Sequence, residues 1–169
     1  MDMTLRRISA ADADKGFRHV VSGFSGERGG VESECFLGRE WEVLERILLA
    51  QGPEEVSELP ITMGDLLGDD DLGTACFYLP PDEVAVAARF LVAIDTERSV
   101  AEHVEHVEHV EHVEHAEHVE HADGIAGTFR HGDVPDGYPE VLGRYLEKVR
   151  DLYTAADRAG EGVAKLVRG

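Results

Sequence analysis

Basic residues are scarce in this chain, with 16 Lys and Arg against 35 Asp and Glu and a formal charge of −19. Such a field repels phosphate backbones and anionic headgroups, which argues against nucleic-acid and membrane-surface partners. A basic protein partner would be drawn in instead. Long apolar runs are missing too. Stretches such as "VAVAA" and "ILLA" are far too short to span a bilayer. The opening "MDMTLRRISA" has no extended apolar segment of the signal-peptide kind, so a cytoplasmic location is expected. Cysteine is limited to Cys35 and Cys76, which are not spaced as a CxxC pair. Two reduced, buried thiols are expected rather than a redox pair or a metal clasp.

Recognisable catalytic motifs are also lacking. The glycines of "SGFSGERGGVES" have neither the Lys-Ser/Thr of a P-loop nor the spacing of a dinucleotide fingerprint. No serine sits in a GxSxG elbow. "GDLLGDDDLG" brings Asp65, Asp69, Asp70 and Asp71 close together without the alternating acids and terminal Glu of a calcium loop, and reads as a solvated loop. His19 and His131 stand alone, with no nucleophile in a recognisable setting.

What is present is enough for one domain. The 169 residues, 43% of them apolar, can bury a single core. "MTLRRI" suits a short strand, and Ser9 three before Asp12 resembles a capping box opening a helix to about Val21. In "GREWEVLERILLAQGP", Trp41, Leu44, Ile47 and Leu48 share one helical face, and Gly52-Pro53 ends the helix. A polar connection containing "ITMGDLL" runs to Gly73. "TACFYL" reads as a strand, and "PPDEVAVAARFLVAID" as a helix with Pro and acids in its first turn and a face of Val84, Ala88, Leu91 and Ile94. "YPEVLGRYLEKVRDLYTAADRAG" carries Leu142, Tyr145, Val149, Leu152, Tyr153 and Ala156 on one stripe, and "GVAKLVRG" reads as a closing strand. Strands at both ends and in the middle, with helices between, predict an α+β fold: a small sheet with helices packed on it.

The order of these pieces resembles the YfbM-like family of small bacterial proteins, a domain of unknown function. "MDMTLRRIS" is similar to the family's Met-rich first strand, and "LGREWEVLERILL" to its Leu-Asp-Lys-x-Trp-His-x-Leu-His helix. "ACFYLPPDEVAVAARFLVAID" is similar to its strand followed by a Leu-Thr-Pro-Glu-Glu-Val helix. "GYPEVLGRYLEKVRDLYTAADRAGEGV" is similar to its Tyr-Pro helix and Ala-rich end. The resemblance implies a cytosolic α+β domain over residues 1–169 and no agreed activity. The departures are specific. Arg39 replaces the Lys, and Gly38, Glu42 and Glu45 stand where Asp and two His are usual. Pro80 occupies the place of a capping Thr, and the aromatic after Tyr138-Pro139 is missing. If those family polar groups form a pocket, this chain has lost its chemistry there.

Between two matched segments lies "AEHVEHVEHVEHVEHAEHVEHAD", residues 101–123, in which a Glu-His-apolar triplet repeats seven times. Three residues of α-helix turn about 300°, so each row of like residues slips about 60° per triplet. The row Val104, Val107, Val110, Val113, Ala116, Val119, Ala122 makes no fixed apolar face. Glu–His pairs at i,i+4 favour helix, so an exposed rod about 33 Å long is expected from the rise per residue. Its histidines His103, His106, His109, His112, His115, His118 and His121 form His-x-x-His pairs able to share Zn²⁺ or Ni²⁺. A precessing row of identical pairs fixes no closed shell, so adventitious binding, with no resident cofactor, is the expectation. The surrounding carboxylates should raise the histidines above their ordinary pKa, so the tract should lose negative charge as pH falls through that range. Tandem duplication within a tolerant surface connection accounts for the rest.

Three functions compete. The first is a non-catalytic cytosolic binding or regulatory protein whose acidic surface engages a basic protein, for example as the antidote to a basic toxin. The second is a metal-handling protein using the repeat. The third is an enzyme with a pocket near Trp41, Tyr78 and Tyr138.

Overall fold

The computed structural model describes residues 1–24, 33–114 and 137–169, and side chains for all of these except 107–114. Five strands form one antiparallel sheet: β1 (Asp2–Ile8), β2 (Glu34–Gly38), β3 (Asp65–Asp69), β4 (Thr74–Leu79) and β5 (Gly162–Arg168), in the order β2-β1-β5-β4-β3. The first and last strands thus pair at its centre, with Leu5 opposite Lys165.

Register assigns the faces, because directly paired residues point the same way. Met3, Leu5, Cys35, Leu37, Leu79 and Val163 belong to the main core. Above it lie α3 (Trp41–Leu49), α4 (Glu54–Ser57), α5 (Pro81–Ala93), α6 (Thr96–Glu114) and α7 (Tyr138–Ala159). Their buried rows follow helical spacing: Leu44, Ile47 and Leu48; Val84, Ala87, Ala88 and Leu91; Leu142, Leu146, Val149, Leu152, Tyr153 and Ala156. The other face holds a smaller cluster of Ile8, Cys76, Ala164 and Leu166 with Ala13, Val20 and Phe24. It is covered by α1 (Ala10–Ala13) and α2 (Phe17–Ser22).

The predicted α+β class is what the structure shows. Ser9 caps α1 as read, accepting from the Asp12 amide at 3.1 Å and donating to Asp12 Oδ2 at 2.8 Å. The single helix expected to Val21 is instead two short ones, because the chain turns at Gly16 with φ 83°, a left-handed conformation that glycine adopts without strain. β3 replaces part of the expected loop. Pro80 precedes α5 with extended backbone and no side-chain cap, its carbonyl accepting from the Val84 amide at 2.9 Å.

α6 opens ahead of the repeat. Ile94 is extended and ends α5. Asp95 then caps the new helix, with Oδ1 accepting from the Arg98 amide at 3.1 Å and its carbonyl from Ser99 N at 2.9 Å and Ser99 Oγ at 2.7 Å. The helix carries into the repeat as far as Glu114; residues 115–123 of the tract lie outside the described residues.

Candidate functional site

The early turns of α6 form a ridge that touches α3 on one side and α7 on the other. Ser99 and Val100 are buried, and Val104 packs on the main core. Val104, the first valine of the repeat, therefore docks, which corrects the expectation of a wholly exposed rod. The physical reason is phase: Val100 and Val104 are four apart, within about 40° of each other on one helical face. His103, beside Val104, is half-buried, and His106 is exposed.

Two grooves flank this ridge. The first, about 410 Å³, lies between α6 and α7. Val100, Ala101, Pro139 and Gly143 make its floor, and Glu97, Glu140 and Glu147 stand exposed around it. Among the described residues Arg144 is the one base in the lining, and its Nε donates to the Glu140 carbonyl at 3.3 Å. Gly143 sits in mid-helix, where glycine costs roughly 1 kcal/mol relative to Ala. A Cβ there would meet nothing within 4 Å, so packing does not demand it; what its absence does is leave the groove floor clear.

The second groove, about 440 Å³, lies between α6 and α3 and is lined by Arg46, Ile47, Ala50, Gln51, Ser99, Glu102, His103 and His106. Glu102 is held by Arg98 Nε at 2.7 Å and by Gln51 Nε2 at 3.5 Å. Burial, then the nearby charges of Arg46 and His106, push the His103 imidazole below its ordinary pKa. Of the seven candidate metal ligands, only His103 and His106 have described side chains; His109, His112, His115, His118 and His121 lie outside them, as does His131. Among the described residues no group of three or more His, Cys, Asp or Glu side chains is placed to hold a metal ion.

The three candidate pocket aromatics do not come together. Trp41 and Tyr138 pack partly buried on the main core, with Trp41 Nε1 donating to the Met1 carbonyl at 3.4 Å. Tyr78 lies on the opposite face of the sheet, in the smaller cluster. Its partner in register is Ala164, one residue out of phase with Val163 and Lys165. Strand alternation thus puts Tyr78 on the sheet face away from the cluster that Trp41 and Tyr138 pack against. Cys35 and Cys76 are free and buried, one on each face, and burial pushes both thiols up to about 11. Thiols held so far above neutrality are poor nucleophiles.

One polar residue escapes sequence reasoning altogether. Lys165, at the centre of β5, is 0% exposed. Its Nζ donates to the carbonyls of Leu59 and Met63. Burial pushes its pKa from 10.5 down to about 7, against the opposing influence of Glu83 and Glu45. The Tyr153 hydroxyl donates to the Pro60 carbonyl at 2.8 Å. Lys165 lines neither groove, and its two carbonyl partners make it a tie for the 59–63 segment. The alternation of Val163, Lys165 and Val167 in "GVAKLVRG" was the available clue.

Among the described residues no helix is long and apolar enough to cross a membrane. Compared with known proteins, no family model matches the chain and no curated protein matches it. Among solved structures, the crystal structure of YfbM from Escherichia coli, a protein of unknown function, aligns with a TM-score of 0.59 at 13% identity, over 98% of this chain and 99% of that one. A likeness at that identity speaks for architecture alone, and it agrees with the motif order read from the sequence: this chain has a YfbM-like fold.

Proposed function

We propose that this is a non-catalytic, cytoplasmic bacterial binding protein that engages a basic protein segment in the groove between α6 and α7. Neutralising a basic toxin is one concrete form of that role. The observation that carries it is the arrangement of Glu97, Glu140 and Glu147 around an apolar floor kept clear by Gly143. An apolar centre with a charged rim is what a basic amphipathic segment needs: area to bury, and carboxylates to steer and orient it. The chain's charge of −19 adds long-range attraction of the same sign preference. The metal-handling alternative depends mostly on histidines outside the described side chains. The enzyme alternative draws no support from Tyr78, which lies on the other sheet face from Trp41 and Tyr138.

The test is the affinity of a fluorescent Arg-rich amphipathic peptide for the wild type and two variants. Gly143→Trp fills the floor, and Glu97→Lys/Glu140→Lys/Glu147→Lys reverses the rim. Each should weaken binding by about tenfold or more, equivalent to about 1.4 kcal/mol. Asp65→Lys/Asp69→Lys/Asp71→Lys, with the same net charge change, should weaken it far less. Equal losses in both triple variants would show that only overall charge matters and would overturn the reading.

A further inference from the structure

The segment between α4 and β3 is tied down by side chains rather than by backbone pairing. Its own amide bonds are local: Ile61, Thr62 and Met63 all donate to the Glu58 carbonyl, at 3.1, 3.0 and 3.1 Å, and Leu59 donates to Val56 at 3.3 Å. Its carbonyls are taken from elsewhere in the fold. Lys165 Nζ, at the centre of β5, donates to Leu59 and Met63, and the Tyr153 hydroxyl of α7 donates to Pro60 at 2.8 Å. Leu59 and Ile61 are buried in the main core. A single turn is marginal by itself, so these two polar anchors and two apolar side chains decide whether it stays in place.

The anchoring amine is sensitive to its proton count. A neutral amine has two N–H donors and an ammonium has three. Among the described residues Nζ donates to two carbonyls, the number that the neutral form satisfies. A proton added in place would leave a spare donor and a full charge at a side chain that is 0% exposed. The charged and titratable groups facing it are Glu83 from α5, Glu45 from α3 and the Tyr153 hydroxyl from α7. β1 and β4 place Leu5 and Phe77 opposite it, and residues 59–63 have no titratable side chain. The two carboxylates favour the ammonium, but burial outweighs them.

We propose that the 59–63 segment is a proton-operated latch, closed over a neutral Lys165 and released as the amine takes up a proton from water. The open form carries an ammonium in solvent, with the ordinary lysine affinity for its third proton. Opening and proton uptake are therefore one event, which each unit of falling pH favours about tenfold. The window runs from 10.5 down to about 7, below which the closed form is protonated too and the dependence stops. Release is local: it uncovers Lys165 and the Tyr153 hydroxyl while β5 keeps its pairing with β1 and β4. The latch is separate from both grooves, since neither Lys165, Tyr153 nor the segment lines them.

The test is amide hydrogen exchange on the full chain, followed by nuclear magnetic resonance between about pH 6 and pH 9 and corrected for the intrinsic rate. Opening at Ile61, Thr62 and Met63 should exceed opening at Val149 and Leu152 of α7 at every pH. It should rise about tenfold per unit from about pH 9 to about pH 7.5 and level off below about pH 6.5. Lys165→Met should remove the pH dependence. Should that variant fail to fold, Glu45→Gln/Glu83→Gln keeps the amine and removes both groups that favour the ammonium, so the levelling should move to lower pH. Tyr153→Phe should raise opening roughly fivefold at all pH values without changing the slope. Exchange at 61–63 no faster than in α7, a flat profile in the wild type, an unchanged profile in Lys165→Met, or levelling unmoved or raised in Glu45→Gln/Glu83→Gln would overturn the proposal.

Discussion

Lys165 and Tyr153, one on the central strand and one on α7, converge on a single backbone oxygen, the carbonyl of Leu59. The tyrosine hydroxyl makes its shorter bond to Pro60 next door, at 2.8 Å, and the amine reaches on to Met63. Two long polar side chains from distant parts of the chain thus anchor the 59–63 segment from within the core. An enclosed amine of this kind is costly when charged, and that cost is measurable through pH.

The unfolded chain keeps the ordinary lysine pKa of 10.5, whereas in the fold it is about 7. Between those values the unfolded state holds a proton that the folded state lacks, so stability rises with pH across the window and is flat below it. The two buried thiols act in the opposite sense, but only from about pH 9 upward. Urea unfolding should therefore show the wild type about 1–2 kcal/mol more stable at pH 8.5 than at pH 7. Lys165→Met should abolish most of that difference, although it orphans two carbonyls. An unchanged pH slope in the variant would assign the effect to other groups.

Tyr78 lies against Gly162, where an added Cβ would come within 2.3 Å of its ring. Gly162→Ala should cost about 1–3 kcal/mol, and much of that loss should vanish in a Tyr78→Ala background. The Tyr78 hydroxyl is buried without a hydrogen-bond partner among the described residues. Tyr78→Phe should accordingly be neutral or stabilising by about 1 kcal/mol. A clear destabilisation by Tyr78→Phe would reveal a partner for that oxygen.

Val104 is the point where the repeat meets the core. Val104→Asp should destabilise the protein by about 1–3 kcal/mol by placing a carboxylate against apolar groups. Glu105→Ala, on an exposed position, should change stability by no more than about 0.5 kcal/mol. Equal effects in chemical denaturation would mean that the first triplets are not docked.

Cys35 and Cys76 should resist a thiol reagent at neutral pH and react together when the domain unfolds, since both are buried with raised pKa values. Rapid labelling of one thiol in the folded protein would indicate local opening of the face of the sheet on which it lies.

The elements legible in the sequence were those with strong periodicity or sharp boundaries. Leu44, Ile47 and Leu48 announced α3, and "TACFYL" between Gly73 and Pro80 announced β4. The edge strands were not legible. "ECFLG" and "DLLGD" are five residues each, with charged or glycine ends, and their strand character comes from the neighbour they pair with. Face assignment also waits on register: nothing local in "CFYL" says that Tyr78 points away from Trp41. Lys165 was hidden for a general reason, because lysine is almost always solvated and only its two carbonyl partners, a hundred residues upstream in sequence order, make its burial tolerable. For the repeat, the preceding turn at Ser99 and Val100 sets the phase in which its first valine, Val104, meets the core.

The proposed reception of basic segments between α6 and α7 has a spatial signature. Hydrogen–deuterium exchange with and without the Arg-rich peptide tests it most directly. Protection confined to residues 96–101 and 139–147 is the predicted result. Protection spread over the acidic surface, or centred on β3 and its Asp-rich turn, would contradict it.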